Sequence, residues 1–424
     1  MNVLVLGSGG REHALSYKIK ESKKCDNLFI APGNAGTGRL GTNVQDLAID
    51  DSKAVGDFVK SNSIDMVVVG PEGPLVAGIH DGLKSDNELT DLIVVGPRQA
   101  AAELEGSKDF AKKFMMRHHI PTARYQTFTK DTLESGQAFL ETLDAPYVLK
   151  ADGLAAGKGV LIIEDIAEAK RELKNMLVDA KFGDASSRVV VEEFLAGIEF
   201  SIFALTDGQG GYVLLPEAKD YKRIGEGDTG LNTGGMGAIS PVPFFGDSLR
   251  EKTIKEIIEP TIQGLVKDDL PYQGFVFFGL INTEKGPKVI EYNVRLGDPE
   301  TEVVIPRLET DLIDLFIAMG NGTLNQTEIK FNPKTAVTVM AVSGGYPGAY
   351  EKGKVITGLR DFENTMVFHA GTASGAEVTT AGGRVMAFTS FGGSKEEALE
   401  KSYAALNEVC YEGINYRKDI GFDL

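Results

Sequence analysis

The segment EYNVRLGDPE, residues 291–300, sets a carboxylate, an amide and a guanidinium at alternate positions. Side chains alternate faces along a strand, so Glu291, Asn293 and Arg295 share one face of an extended chain. Ile290, Tyr292 and Val294 then share the other, an apolar set suited to a core. A carboxylate and an amide oxygen at this spacing can reach one hard cation. Mg²⁺ takes oxygen ligands of this kind together with substrate phosphates. Arg295 lies one step further along the face, with planar donors suited to a transferring phosphoryl group. Two readings stand here: that site, or a solvated strand face carrying one Glu–Arg pair. An exposed pair contributes only ~0–1 kcal/mol, so stability is a weak reason for the pattern.

Three other stretches carry chemistry. GSGGRE (7–12) follows the apolar run NVLVL and precedes a helical pattern with Ala14, Leu15 and Ile19. Free N–H groups at such a helix start favour a phosphate or another anion; without a ligand it is a tight strand-to-helix turn. A dinucleotide fingerprint needs a third glycine where Glu12 stands. It also needs an acid ~20 residues on, where Ala31-Pro32 stands. A dehydrogenase is therefore disfavoured. DGLAAGKGV (152–160) has the wrong spacing for a phosphate loop, and Gly159 follows its lysine instead of Ser or Thr. What remains is a Gly-rich hairpin over nucleotide phosphates, neutralised by Lys150 and Lys158, or a surface turn with solvated lysines. In VVVEEFL, Glu192 and Glu193 lie on a segment that can run along an adenine, and Glu199 in GIEFS can bind ribose hydroxyls; all three also read as ordinary surface acids.

The elements that position these groups follow from periodicity. NVLVL (2–6), NLFIA (27–31), IDMVVVG (64–70) and LIVVG (92–96) are continuous apolar runs between helical stretches. That pattern predicts βαβ units and a parallel sheet. A helix is expected over 103–118, strands at 146–150 and 160–163, and a helix at 166–180. Residues 189–205 read as paired strands, and 223–241 as a long Gly-rich loop. A helix at 247–267 precedes a hairpin of 274–281 and 287–294. Another helix is expected near 309–320, then strands at 335–342 and 384–391 and a helix at 395–410. That last helix opens with Ser394-Lys395-Glu396-Glu397, a capping box.

Composition bounds the rest. The chain has 424 residues, a prior of about three domains. Lys and Arg number 44 against 61 Asp and Glu, a net charge of −17. That argues against nucleic-acid binding, which runs on clustered positive charge. Glycine is in excess, 50 of 424 or about 12% against a usual ~7%. It falls in short motifs, as tight turns and close backbone–ligand approach require. Cys25 and Cys410 cannot build a disulfide framework or a CxxC site, and the five histidines show no HExxH spacing. No run approaches a membrane span, and the start is not a signal peptide, so a cytoplasmic protein is expected.

Taken together, the motifs resemble the phosphoribosylamine–glycine ligases (glycinamide ribonucleotide synthetases), an ATP-grasp family of purine biosynthesis. The matching segments are GSGGREHAL (7–15), APGNAGT (31–37), GPEGPLVAGIHD (70–81), KADGLAAGKGV (150–160), VEEFLAG (191–197), NTGGMGAISP (232–241) and RLGDPETEV (295–303). They occur in family order over almost the whole chain. Two departures stand out. EAKDYKR (217–223) carries Lys219 and Tyr221 where the family usually has Gln and His, and Gly-Glu-Gly-Asp (225–228) replaces a common Asp-Gly-Asp.

The resemblance implies an α/β and α+β multidomain fold. A βαβ domain would span 1–102, an ATP-grasp core 103–325 with a lid near 121–190, and a mixed domain 326–424. It implies ATP, glycine and 5-phosphoribosylamine as substrates, Mg²⁺ or Mn²⁺ as metal, no nucleic-acid or membrane partner, and a monomer. Glu291 and Asn293 would hold the metal and Arg295 steady the phosphoryl group. Lys108, Lys150 and Lys158 would surround the nucleotide phosphates. Glu192, Glu193, Phe194 and Leu195 would line adenine, with Glu199 on ribose. Gly9, Gly10, Arg11 and Glu12 would take the ribosylamine phosphate, helped by Asn34, Gly36 and Thr37, with Pro71 and Glu72 near the substrate ribose. Asp220, Arg223, Asp228 and Asp298, with Asn232 and Thr233, are candidates around glycine and the closing loop.

The EAKDYKR departure motivates an alternative, a related ATP-grasp ligase for another small acid and amine. A nucleotide sensor without turnover is a further one, against which the intact Glu291/Asn293/Arg295 set speaks. NAD(P) titrated into the protein is expected to give no saturable signal; a saturable one would revive the dehydrogenase.

Overall fold

The computed structural model describes residues 1–153, 159–179, 181, 183 and 187–424. Lys158 and most of the Gly-rich stretch before it lie outside the described residues. Five parallel strands come first: β1 (Asn2–Gly7), β2 (Asn27–Pro32), β3 (Thr42–Asn43), β4 (Met66–Val69) and β5 (Ile93–Val95), in the order β3-β2-β1-β4-β5. The apolar runs are unbroken because both faces of the sheet are covered. Leu4, Leu6, Val67 and Val69 enter one core, and Val3, Val5, Met66 and Val68 enter another.

A four-stranded antiparallel sheet follows: β6 (Tyr125–Thr129), β7 (Tyr147–Ala151), β8 (Val160–Ile163) and β9 (Arg188–Glu193), in the order β6-β9-β7-β8. The helices Leu133–Leu140 and Ile166–Val178 share its own small core, built on Leu140, Leu149, Leu173 and Val191.

The largest sheet is antiparallel. It contains β10 (Ile198–Thr206) and β11 (Tyr212–Asp220), after which β12 (Arg223–Gly225) and β13 (Thr229–Asn232) form a separate two-stranded hairpin. The sheet continues with β14 (Gly237–Ser240), β15 (Gly274–Thr283), β16 (Gly286–Asn293), β17 (Thr335–Val342) and β18 (Thr365–His369). The pair β19 (Thr372–Ala373) and β20 (Thr379–Thr380) stands apart, and β21 (Arg384–Gly392) completes the set. The order is β16-β15-β10-β11-β14-β17-β21-β18. Four-residue β14 is the seam: it pairs with β11 through Asp220↔Ala238 and with β17 through Gly237↔Val339.

Four expectations are corrected. The helix 103–118 is two helices, Gln99–Gly106 and Lys108–Arg117, because Ser107 takes extended backbone angles and caps the second by accepting from Phe110 N–H at 3.1 Å. The strands within 189–205 do not pair with each other; β9 and β10 belong to different sheets, with the crossing at 194–197. The loop 223–241 contains three short strands. The capping box is half formed: Ser394 Oγ accepts from Glu397 N–H at 3.3 Å, but Glu397 reaches back to Gly393 N–H at 2.7 Å. Among the described residues no helix is long and apolar enough to cross a membrane.

The parallel sheet docks on the large one at backbone distance. Gly96 N–H donates to Gln273 C=O at 2.7 Å, and Arg98 N–H to Pro271 C=O at 3.3 Å. Gly274 opens β15 with φ of +152°, and a Cβ there would stand 2.8 Å from Gly96 N. Backbone cannot yield as a side-chain tip can. Gly274→Ala is therefore expected to destabilise the protein by about 2 kcal/mol or more. Urea denaturation checks this; an unchanged midpoint would show that the joint is not this tight.

Candidate active site

β16 carries its side chains past a bulge. Gly279 is opposite Glu291 and Leu280 is opposite Val289, which leaves Ile290 as the extra residue. The simple alternation is corrected accordingly. Val289, Tyr292 and Val294 enter the core, while Ile290 lines a cleft with Glu199, Ser201, Asp220, Lys222 and Glu291. Tyr292 is fixed by a 2.8 Å hydrogen bond between its hydroxyl and that of Thr261. Glu291 and Asn293 are half-buried beside it. Their oxygens are hard donors, and among the described residues no cluster of three or more His, Cys, Asp or Glu could hold a metal alone. A cation here would need further oxygens from a ligand, as Mg²⁺ with phosphates does.

The break at Ser107 aims the lysines. Ser107 Oγ donates to Asp152 Oδ1 at 3.0 Å, and Asp109 N–H to the same oxygen at 3.2 Å. Lys108, first in the new helix, donates from Nζ to Gly153 C=O at 3.0 Å. Burial lowers its pKa against the pull of Glu291. Lys150 on β7 reaches Ile290 C=O at 3.4 Å and Glu192 at 3.1 Å. Glu192 is not a surface acid. Its carboxylate is 3% exposed and lies 3.1 Å from Lys112 as well. Burial favours its protonation, but the two lysines outweigh that and lower its pKa. Among the described residues its Oε1 has no hydrogen-bond partner. Glu193 accepts from Arg124 N–H at 2.9 Å and meets Lys288 at 3.2 Å. Phe194 is exposed and Leu195 half-buried on the crossing segment.

Arg295 does not pair with Glu291. Its guanidinium lies 2.7 Å from Glu105 and 3.3 Å from Glu72, which follows the N-cap Pro71 and begins a short helix. Burial pushes the Glu105 carboxyl up, and Arg295 opposes it. GSGGRE is occupied by the chain's own acids. Gly9 N–H donates to Glu12 at 2.6 Å, Arg11 Nε to Glu12 at 2.6 Å, and Arg11 N–H to Asp298 at 3.3 Å. Arg11 also reaches Leu296 C=O at 3.1 Å. Glu12 fits because Gly70 leaves room: a Cβ there would stand 2.1 Å from its carboxylate. Gly10 faces buried Glu302. In the next loop Asn34 Oδ1 accepts from Gly36 N–H at 2.8 Å and Thr37 N–H at 3.0 Å, so these three fold on one another.

The segment that leads into the glycine-rich hairpin lines the other rim. Asp220 faces the cleft, where Lys222 lies 3.9 Å from it and 3.1 Å from Glu199. Arg223 donates to Gly230 C=O at 2.8 Å, and Thr233 Oγ1 to Lys222 C=O at 2.8 Å. Asn232 is exposed, and Asp228 lies 2.5 Å from Arg417. Asp298 meets Arg384 at 2.9 Å, and Arg384 also donates to Gly234 C=O at 2.6 Å. Sequence reasoning missed Glu105, Lys112, Lys222, Glu300 and Arg384. Lys222 and Glu300 stood inside quoted motifs; Arg384 had no local signal, lying 86 positions from its partner Asp298.

The fold and its cleft are those of an ATP-grasp enzyme. Family models of phosphoribosylglycinamide synthetase match in three parts: the N domain over 1–105, the ATP-grasp (A) domain over 106–301 and the C domain over 336–423. The chain belongs to that family. A phosphoribosylamine–glycine ligase of Rhizobium meliloti (strain 1021) is 47% identical over 424 residues, covering 100% of this chain and 98% of that protein. One of Vibrio vulnificus (strain YJ016) is 44% identical over 430 residues, with the same coverage. The crystal structure of the Thermotoga maritima phosphoribosylamine–glycine ligase aligns with TM-score 0.85 at 36% identity, over 99% of this chain and 100% of that one. A Campylobacter jejuni biotin carboxylase aligns with TM-score 0.73 at 15% identity, over 99% and 93%, and shares the fold. Enzymes of this class work with ATP and a divalent cation.

Glu300 generates a pH prediction. Burial and the neighbouring Asp220 raise its carboxyl from 4.5 to about 7. Between those values the native state holds a proton that the unfolded chain has lost. Stability from this group therefore falls as pH rises through the window. Glu300→Gln should flatten that slope; denaturant midpoints from pH 4.5 to 7 check it, and an unchanged slope would clear Glu300 of it.

Proposed function

We propose that the chain ligates glycine to 5-phosphoribosylamine, giving glycinamide ribonucleotide, ADP and phosphate. The observation that carries this is the approach of two lysines to the Glu291 segment, in a chain of the synthetase family: Lys150 Nζ lies 3.4 Å from Ile290 C=O, and Glu291 pulls on the charge of Lys108. A glycine carboxylate oxygen attacks the γ-phosphorus, and ADP leaves. The resulting glycyl phosphate is an acylating agent, which a free carboxylate is not. The amine nitrogen then attacks the carbonyl carbon, phosphate departs, and the nitrogen loses a proton. Both nucleophiles come from substrates, so the protein's work is positioning and charge stabilisation.

Glu291 and Asn293 are the residues suited to Mg²⁺, or Mn²⁺, which when bound neutralises phosphate charge. Lys108, Lys150 and Lys158 balance the nucleotide phosphates, and Arg295 steadies the transferred group once its carboxylate partners share it. Glu192 to Leu195 line adenine; Glu192 Oε1, without a hydrogen-bond partner among the described residues, supports this, since it can accept from an exocyclic amine. Glu199 binds ribose. Gly9 to Glu12 with Asn34, Gly36 and Thr37 take the ribosylamine phosphate, with Pro71 and Glu72 at its ribose. Asp220, Arg223, Asp228, Asn232, Thr233 and Asp298 surround glycine. We divide these roles among an N-terminal unit (1–102), an ATP-grasp core with lid (103–325) and a closing unit (326–424). We place the enzyme in the cytoplasm as a monomer, which the family leads us to expect.

The alternative acid substrate rested on Lys219 and Tyr221. Both are buried away from the cleft, against Asp423, so no observation favours it. The test is ADP release measured with glycine and the amine supplied and withheld; release independent of glycine would overturn the reading. Glu291→Ala is expected to cut turnover more than ~100-fold, the kinetic equivalent of a few kcal/mol of charge stabilisation. Retained turnover would remove the metal assignment.

A further inference from the structure

We infer that residues 417–423 are a positioning element for the cleft, anchored on Lys219 and Tyr221. The inference rests on the ligase reading above. Successive residues of an extended chain face opposite ways. Along Lys219-Asp220-Tyr221-Lys222 the two even residues line the cleft, where Lys222 meets Glu199 and Asp220, and the two odd ones are buried on the reverse.

One carboxylate holds both odd residues. Lys219 Nζ lies 3.0 Å from Asp423 Oδ2, and the Tyr221 hydroxyl donates to Asp423 Oδ1 at 2.8 Å. Arg417, 1% exposed, stacks over the Tyr221 ring at 5.4 Å and the Phe422 ring at 5.7 Å. Burial works against its charge, but hydrogen bonds to Asp419 at 2.8 Å and Asp228 at 2.5 Å outweigh that. Asp419 also accepts from Gly227 N–H at 2.7 Å, and Arg417 donates to Arg223 C=O at 3.2 Å.

The segment thus grips the hairpin at both ends. Asp423 fixes the strand that leads into it, while Arg417 and Asp419 fix its turn. Apart from that grip and from Ile224, which packs on the C-terminal core, the hairpin is held mainly by its own bonds. Its two strands pair at Arg223↔Asn232 and Gly225↔Thr229 with a shift between, and β13 is exposed throughout. Two strands alone are marginal in water. Lys219 and Tyr221 are therefore positioning residues: they set where Asp220, Lys222 and the hairpin stand, without touching substrate.

The test compares wild type with Tyr221→Phe, Asp423→Asn and Asp423→Glu in the full chain. Tyr221→Phe and Asp423→Asn should each raise the KM for glycine about tenfold, the scale of one charge-assisted hydrogen bond. They should leave kcat within about twofold, and speed amide hydrogen exchange at 223–232. Asp423→Glu should restore both readouts. Gly274→Ala, destabilising but remote, should leave the glycine KM unchanged. Wild-type KM and unchanged exchange in both variants would overturn the inference. If wild type itself releases no glycine-dependent ADP, the ligase reading has failed instead, and the exchange experiment alone decides whether 417–423 orders the hairpin.

Discussion

Arg295 is the charge around which the domains meet. It extends from the end of β16 into a space walled by Glu105, from a helix after the parallel sheet, and Glu72, from a helix within it. Burial works against both carboxylates, and Arg295 opposes it at each. Charge pairs of this kind cost several kcal/mol when one member is removed, because the survivor is left unpaired. Three segments far apart in sequence are therefore tied at one point, directly after the strand that carries Glu291 and Asn293. The same logic recurs at Arg11 with Glu12, at Lys112 and Lys150 with Glu192, and at Arg384 with Asp298.

These pairs explain how a chain of net charge −17 can serve anionic substrates. Net charge acts over distances that salt screens within ~8 Å. The cleft instead holds fixed cations already surrounded by the protein's carboxylates. A phosphate entering it exchanges one anionic partner for another and does not have to recruit a cation from water. Buried acids such as Glu300 keep protons near neutral pH and so soften local repulsion.

The parts of this arrangement legible in the sequence are those set by local periodicity. The parallel sheet was visible because strands covered on both faces must be apolar throughout. The hairpin β15–β16 was visible as two strand-like runs close in sequence, and the helix after Ser394 from its capping residue. The motif face of Glu291, Asn293 and Arg295 was legible too, but not the bulge at Ile290, which breaks period two without any glycine or proline to announce it. The break at Ser107 was missed because helical propensity continues through it, whereas its cause is the distant Asp152. Glu192 looked like a surface acid because nothing near it in sequence shows Lys112 and Lys150 converging. Burial of a charge is decided by partners, and partners here come from across the fold.

The seam strand β14 has a consequence for how the chain is made. Its four residues join β11 on one side, encoded shortly before, and β17 on the other, encoded roughly a hundred residues later. During synthesis the first five strands and the cleft strands can pair while β14 still presents an open edge. Unpaired edges recruit foreign strands, and slow, long-range pairing prolongs that interval. The glycines before β14 and its shortness make the edge a poor template for a stranger. Those features also bring the NTGGMGA backbone close to Arg384 and Asp298, so one stretch of sequence answers to both the nascent chain and the finished cleft.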